Sequence, residues 1–403
     1  MSFDKDLKSS RRLTAVLFIC CVVALFVTAA LVWYVNIQSM ESDDSQSTAS
    51  VSTEEISSEE PPPVKVEVDL VAVGDNLIHM QLIQGGRKEN GRYNFESYYE
   101  GIKKEVEEAD IAVVNQETIL GGASLGYSGY PLFNSPQEFG QALVNTGFDV
   151  VLHATNHTMD KGFTGVENTL AFWAEYPDVA VLGIHGSAEE QEQITIKEVD
   201  GIKMALLNYT FSLNGLSVPA SKPYLVDEFD KERMEADIKK AKEEADLVIV
   251  FPHWGTEYIH EADDLQKEYT DFFASLNVDL VIGGHPHVIQ PIEWVERADG
   301  KQMPVYYSLG NMISRQDRTP RLLGGMARVT IEKERDQVAV TKAKVTPIVC
   351  HYEYNDKWHF AVYKLEDYTE ELASVHNVRT VDATFSLDML NQLSLEVFGD
   401  NIE

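Results

Sequence analysis

Cysteine is scarce in this chain: there are three in 403 residues. Cys20 and Cys21 share one apolar run, and only Cys350 lies elsewhere. That excludes a disulfide scaffold and a cysteine-based zinc cluster for the rest of the chain. Basic residues are also few, 33 Lys and Arg against 65 Asp and Glu, for a formal net charge of -32. Such a balance argues against binding of nucleic acid or anionic lipid by the bulk of the chain. No internal repeat is present. Charge is missing altogether from Leu13 to Val35, and large apolar residues are almost missing from Glu41 to Pro63.

These last two absences predict an anchor and a tether. About 23 uncharged residues are enough to cross a bilayer as a helix. Lys5, Lys8, Arg11 and Arg12 precede the run, and Glu41, Asp43 and Asp44 follow it. The charge bias places residues 1–12 in the cytoplasm, a transmembrane helix at 13–35 and the remainder outside the cell membrane, with Trp33-Tyr34 at the outer interface. A cleaved signal peptide fits less well, because the run is longer than a signal core and no small-residue cleavage site follows. A lipoprotein signal is opposed by the bulky "LFI" before Cys20. Residues 36–63 are rich in Ser, Thr, Glu, Asp and Pro and cannot bury enough surface to fold, so they read as a disordered acidic tether.

From Val64 the texture changes. Short β-branched runs at 66–74, 110–117, 148–156, 179–184, 203–210, 245–253, 278–285 and 304–311 predict strands. Helical patterns fill 96–109, 135–147 and 227–245, the second with Ser135 as N-cap, Pro136 in the first turn and Gly147 as the stop. Residues 327–348 read as a hairpin. Strands alternating with helices indicate a layered α/β domain at 64–350, with 351–403 as an extension packed on it or appended to it.

In open α/β sheets ligands bind beyond the carboxyl ends of the strands. The residues expected there are Asp75, with His79 a little further on; Asn115 and Glu117; Asn156, His157 and Asp160; His253; His285 and His287; and Asn311. Taken singly, such an Asp or Asn is usually a helix cap and such a His a hydrogen-bonded structural residue. Together, carboxylates, Asn-His, His and His-x-His on successive strand ends suit Mn, Fe or Zn. Enough ligands are present for two divalent ions sharing one carboxylate. In "GGHPH" (283–287) the glycines leave room for close backbone approach, and an extended chain would aim His285 and His287 the same way. Arg87, in a Gly-rich loop, is a weaker candidate for contact with an anionic substrate, and Trp254 for a pocket wall.

The ordered motifs "VGDNLIH", "NQET", "ATNHTMDKG", "FPHWGTEY", "GGHPHVIQP" and "YSLGN", from about Val66 to Met312, resemble those of the CapA family. This is the poly-γ-glutamate synthesis PgsA-like family of capsule biosynthesis, related to calcineurin-like metallophosphoesterases. The resemblance implies a metallophosphoesterase-like β-sandwich flanked by helices. It implies one ion on Asp75, Glu117 and His287, and another on Glu117, Asn156, His253 and His285. His157 would be the acid for the leaving group. From the three-residue spacing, Asp160 would orient it. The implied partners are an anionic capsule polymer or a phosphorylated substrate, and membrane-bound synthesis proteins. Two departures stand out. Position 77 is Leu where metallophosphoesterases carry the histidine of Asp-x-His, which makes His79 a possible replacement, and the bridging carboxylate is Glu rather than Asp. The competing functions are a general extracytoplasmic phosphoesterase and a non-catalytic polymer assembly subunit.

Overall fold

A computed structural model describes residues 65–403. The expected transmembrane helix and tether lie outside the described residues. Among the described residues no helix is long and apolar enough to cross a membrane.

The domain is a mixed α/β fold built on two sheets. The first begins with four parallel strands, β1 (Lys65–Asn76), β2 (Ile111–Asn115), β3 (Val150–Leu152) and β4 (Ala180–Leu182). The second contains β5 (Thr195–Val199), β6 (Ile202–Thr210), β7 (Leu247–His253), β8 (Leu280–Ile282), β9 (Ile292–Glu296) and β10 (Gln302–Tyr306), in the order 5-6-7-8-10-9. The chain then returns to the first sheet with β11 (Asn311–Ile313), β12 (Leu323–Glu334), β13 (Gln337–Tyr354) and β14 (Trp358–Lys364). β12, β13 and β14 extend that sheet antiparallel from β1, while β11 pairs with the end of β1 in parallel. β13 runs through residue 350 and β14 continues the same sheet to Lys364; beyond it lie short turns and the helices Glu370–Val375 and Leu387–Phe398.

The period of two along a strand divides the second sheet between two cores. Met204, Leu206, Ile249, Phe251 and Leu280 join the cluster that also holds β1, β2 and β3. Ala205, Leu207, Val248, Val250 and Val281 face the opposite way, onto the helices Lys231–Glu244 and Asp264–Ser275 through Met234, Ile238 and Phe273. Both faces of β7 are therefore buried, which is why it reads as an unbroken apolar run.

Three expectations shift for identifiable reasons. The helix expected at 96–109 breaks into a 3-10 turn, Glu96–Tyr98, and a helix, Lys103–Glu108. Gly101 lies between them, pressed against β14 so closely that a Cβ would sit 2.2 Å from the Val362 carbonyl oxygen. The helix expected from 135 starts at Glu138, because Ser135 Oγ bonds Thr118 Oγ1 at 2.8 Å instead of capping. Gly147, at φ 108°, does close that helix. The strand expected at 304–311 is two strands in different sheets. β10 ends at Tyr306, and the chain crosses through Gly310 (φ 64°) to β11. The structure adds the helices Gly162–Trp173 and Asp264–Ser275 to the three expected.

A buried histidine pair behind this sheet has a measurable consequence. His376 Nδ1 accepts from the Val378 N–H at 3.0 Å and its Nε2 donates to the Cys350 carbonyl at 3.1 Å, an arrangement only the neutral ring satisfies. Burial, with His351 alongside, pushes His376 down to about 3, and burial pushes His351 down to about 4. Both values lie below the ordinary 6.5, so the unfolded chain takes up protons first. This contribution to stability is complete above pH 6.5 and is lost as the pH falls toward the folded values. The melting temperature should fall across that window, and His376→Asn should flatten the fall. A pH slope identical in the variant would refute the assignment.

Candidate metal centre

The site forms where the two sheets present the carboxyl ends of β1, β2, β3, β7 and β8. The end of β1 is held by its neighbour: the Asp75 N–H donates to the Gly310 carbonyl at 2.9 Å. A side chain at Gly74 would meet that same oxygen at 1.9 Å, so only glycine lets β1 approach β11 this closely. Gly284 is under a similar restriction, because a Cβ there would lie 2.9 Å from Asp75 Oδ1.

Asp75, Glu117 and His287 come together, as do Glu117, His253 and His285; in each group one ligand atom per residue lies within 4.8 Å of the others. Glu117 is shared between the groups. Its Oε1 stands 3.6 Å from His287 Nε2 and 3.8 Å from His253 Nε2. Asp75 Oδ2 is 2.9 Å from His287 Nδ1. Asn156 Oδ1 lies 3.0 Å from His253 Nε2. Asn115 Nδ2 donates to Asp75 Oδ1 at 2.7 Å, which makes it a brace for that carboxylate. His285 and His287 are not extended: their φ angles are 99° and 58°. Left-handed backbone costs a non-glycine residue about 1–3 kcal/mol and persists where surrounding structure enforces it. Here Tyr258 N–H donates to the Pro286 carbonyl at 2.8 Å and fixes the spacer between the two rings.

The electrostatics are those of a site whose central carboxylate lacks hydrogen-bond donors. Among the described residues, both Glu117 oxygens are buried with no hydrogen-bond partner, and so is His285 Nδ1. A buried carboxylate without donors is costly unless paired with a cation. Burial, followed by the charge of Asp75 against the pull of His287, raises Glu117 well above the usual carboxylate range. Burial, then His285, lowers His253 well below the usual imidazole range. His285 is pushed down to about 4 by burial and His287. Burial works against His287 as well, but Glu117 and the Asp75 hydrogen bond prevail and bring it up to about 9. Two carboxylates, three imidazoles and an amide oxygen, with orphaned acceptors at the centre, fit divalent metal ions.

His157 lies beside the cluster, its Nδ1 2.8 Å from Asp160 Oδ2, which also accepts the Phe133 N–H at 2.6 Å. A cleft of about 840 Å³ opens over the cluster and is reached by His157, His287, Glu257 and Leu77. His79 lines it too but belongs to none of the ligand groups. Its Nδ1 faces the Arg315 N–H at 3.2 Å, and burial lowers it to about 4. Asn311 is a clasp: its Nδ2 donates to the carbonyls of His287 (3.2 Å) and Arg321 (2.9 Å) and to Gln316 Oε1 (3.2 Å). Arg87 caps the helix Met80–Gly86 and does not line the cleft. Trp254 is wholly buried, donating to the Tyr307 carbonyl at 2.9 Å, so it belongs to the core and not to the cleft wall.

Three residues in the cleft were not singled out from the sequence. Glu257 forms a third ligand group with His285 and His287. It lies in "HWGTEY", four residues past His253, and that proximity was the available signal. Arg315 and Arg321 follow the "SLGN" motif with no pattern of their own.

Comparison with known proteins adds the following. The family described as "Bacterial capsule synthesis protein PGA_cap" matches residues 69–316. The chain is 29% identical over 212 residues to the PGA biosynthesis protein CapA of Bacillus subtilis (strain 168), covering 52% of this chain and 53% of that one. It is 27% identical over 190 residues to the capsule biosynthesis protein CapA of Bacillus anthracis, covering 46% and 45% respectively. The chain thus spans about half the length of the curated relatives it matches. Among solved structures, the calcineurin-like phosphoesterase YfkN from Bacillus subtilis aligns with 83% of this chain and 99% of its own, at 13% identity and a TM-score of 0.41.

Proposed function

Because the chain belongs to the bacterial capsule synthesis protein PGA_cap family, we propose that it is a membrane-anchored, extracytoplasmic capsule-biosynthesis protein with a metal-dependent hydrolase or transferase site. The anchor is the 13–35 segment, and the partners are membrane-bound synthesis proteins. The substrate is an anionic polymer, with poly-γ-glutamate as the candidate, and the bond acted on is a phosphoester or an amide-like linkage. The observation that carries this reading is the convergence of Asp75, His253, His285 and His287 on Glu117 oxygens that have no hydrogen-bond partner among the described residues.

Asp75, Glu117 and His287 would hold one ion, and Glu117, Asn156, His253 and His285 another. Ions bound there would polarise the reacting phosphoryl or carbonyl group and acidify a water molecule. The chain's own residues do the rest. Asn115 holds Asp75 in place, and Asn311 holds the backbone of His287. Asp160 Oδ2 accepts a hydrogen bond from His157 Nδ1–H and so orients the ring, which leaves Nε2 as the position from which a proton reaches the leaving atom. Asp160 is a positioning residue, since it acts through His157.

Elemental analysis of the purified full chain should find bound divalent metal, and Asp75→Ala with His285→Ala should lose it. No metal in the wild type, together with a double variant that supports capsule formation normally, would end this reading. Leu77 favours one second reading, a non-catalytic assembly subunit, because it places an apolar side chain on the cleft where metallophosphoesterases carry a ligand. Polymer production that survives a Glu117→Gln, His157→Ala double substitution would select that reading. Turnover of nucleotides or other phosphorylated substrates with Mn, lost in His157→Ala, would instead select a general phosphoesterase.

A further inference from the structure

The acidity of this chain makes its unneutralised arginines informative. Arg233, Arg297 and Arg318 each pair with a carboxylate. Of the seven described arginines that pair with no carboxylate, Arg315 and Arg321 are the two that line the cleft over the metal cluster. Aromatic faces hold them instead of carboxylates. The Arg321 guanidinium lies 3.5 Å from the centre of the Tyr258 ring. That of Arg315 lies 4.5 Å from Tyr352 and 5.1 Å from Trp358, and it donates to Tyr352 Oη at 3.1 Å. Arg315 Nε is buried with no partner. Stacking of this kind fixes the plane of a guanidinium without consuming its charge.

The backbone carrying both arginines is locked to the site. Asn311 reaches from β11 to the carbonyls of His287 and Arg321 and to Gln316, and the Arg315 N–H points at His79. Tyr258, under Arg321, lies 6.0 Å ring to ring from His287. The acidic groups in the same cleft are otherwise engaged: Asp317 pairs with Arg318 at 3.2 Å, and Glu257 groups with His285 and His287.

We propose that Arg315 and Arg321 form an oxyanion subsite beside the metal cluster, one that takes a second carboxylate or phosphate of the substrate, apart from the group being processed. A planar guanidinium offers two parallel donors to either oxyanion. A substrate carrying anionic groups in series would engage the cluster and the arginines at once, whereas a singly charged one would engage only the cluster. The inference rests on the proposed function and names how that site selects a polyanion.

The test is calorimetric titration of the full chain, its metal content measured, with tri-γ-glutamate and separately with tripolyphosphate. Arg315→Gln and Arg321→Gln should each weaken binding by about tenfold or more, the loss expected for a charge-assisted hydrogen bond. Lysine at either position should fall between glutamine and wild type, since it keeps the charge but not the fork. Arg321 rests on a partly exposed tyrosine, so its variants serve if Arg315 variants fold poorly. A loss confined to tri-γ-glutamate assigns the subsite to carboxylates; a loss confined to tripolyphosphate assigns it to phosphates. Unchanged affinity in both glutamine variants, or no binding of either anion by the wild type, overturns the subsite. Metal-free protein with arginine-dependent binding would instead overturn the metal reading and keep the subsite.

Discussion

Glu117→Gln is expected to lower metal affinity by about a hundredfold or more, at least the loss seen when outer-shell partners of a metal are removed. The reason is geometric as well as electrostatic. Glu117 is the one carboxylate common to two ligand groups, and among the described residues its oxygens have no hydrogen-bond partner. Glutamine keeps the shape, removes the charge and turns one acceptor into a donor aimed at imidazoles. The same substitution should leave the metal-free melting temperature unchanged or raise it, because a buried carboxylate without donors opposes folding. Equilibrium dialysis and melting curves on metal-stripped protein separate the two effects. A variant that binds metal like the wild type, or one that simply unfolds, would contradict this account of Glu117.

His157→Gln should produce the other large effect: turnover of the capsule polymer or of a phosphorylated substrate lower by about 10²–10⁴-fold, the span associated with a positioned general acid. Metal content should persist, since His157 is in neither ligand group that shares Glu117. The loss should fall on kcat, with KM little changed, because the ring meets the leaving atom only as the bond breaks. Asp160→Asn should give a smaller loss of the same kind. Asparagine presents either a donor to His157 Nδ1, which reverses the tautomer, or an uncharged acceptor, and the Phe133 N–H loses a charged partner. A His157 variant with full kcat would remove the acid role and leave the metal site intact.

Much of this site was legible because its signals are local. An apolar run that stops at a polar residue marks a strand end wherever the strand is placed, and Asp75, Glu117, His253 and His287 all stand at or just past such ends. The helix Asp264–Ser275 carries a signal of the same local kind: Asp263 and Gln266 form a capping box. By contrast, Ser135 has the residue type of a cap but spends its hydroxyl on Thr118, a choice made by a neighbour distant in sequence.

The sequence by itself determined the α/β alternation, the family and the chemical character of the cluster, since residue type and order along the chain carry that information. The anchor expected at 13–35 and the tether expected at 36–63 are sequence expectations that lie outside the described residues. Tertiary structure decided what depends on long-range approach. The return of the chain from β10 to β11 splits one apparent strand between two sheets, and only that crossing brings Arg315 and Arg321 over the cluster. Likewise, nothing in "GGHPH" states that both histidines take left-handed backbone. That conformation is imposed by Tyr258 on Pro286 and by the carboxylate of Asp75, contacts that exist only once loops far apart in the chain have closed.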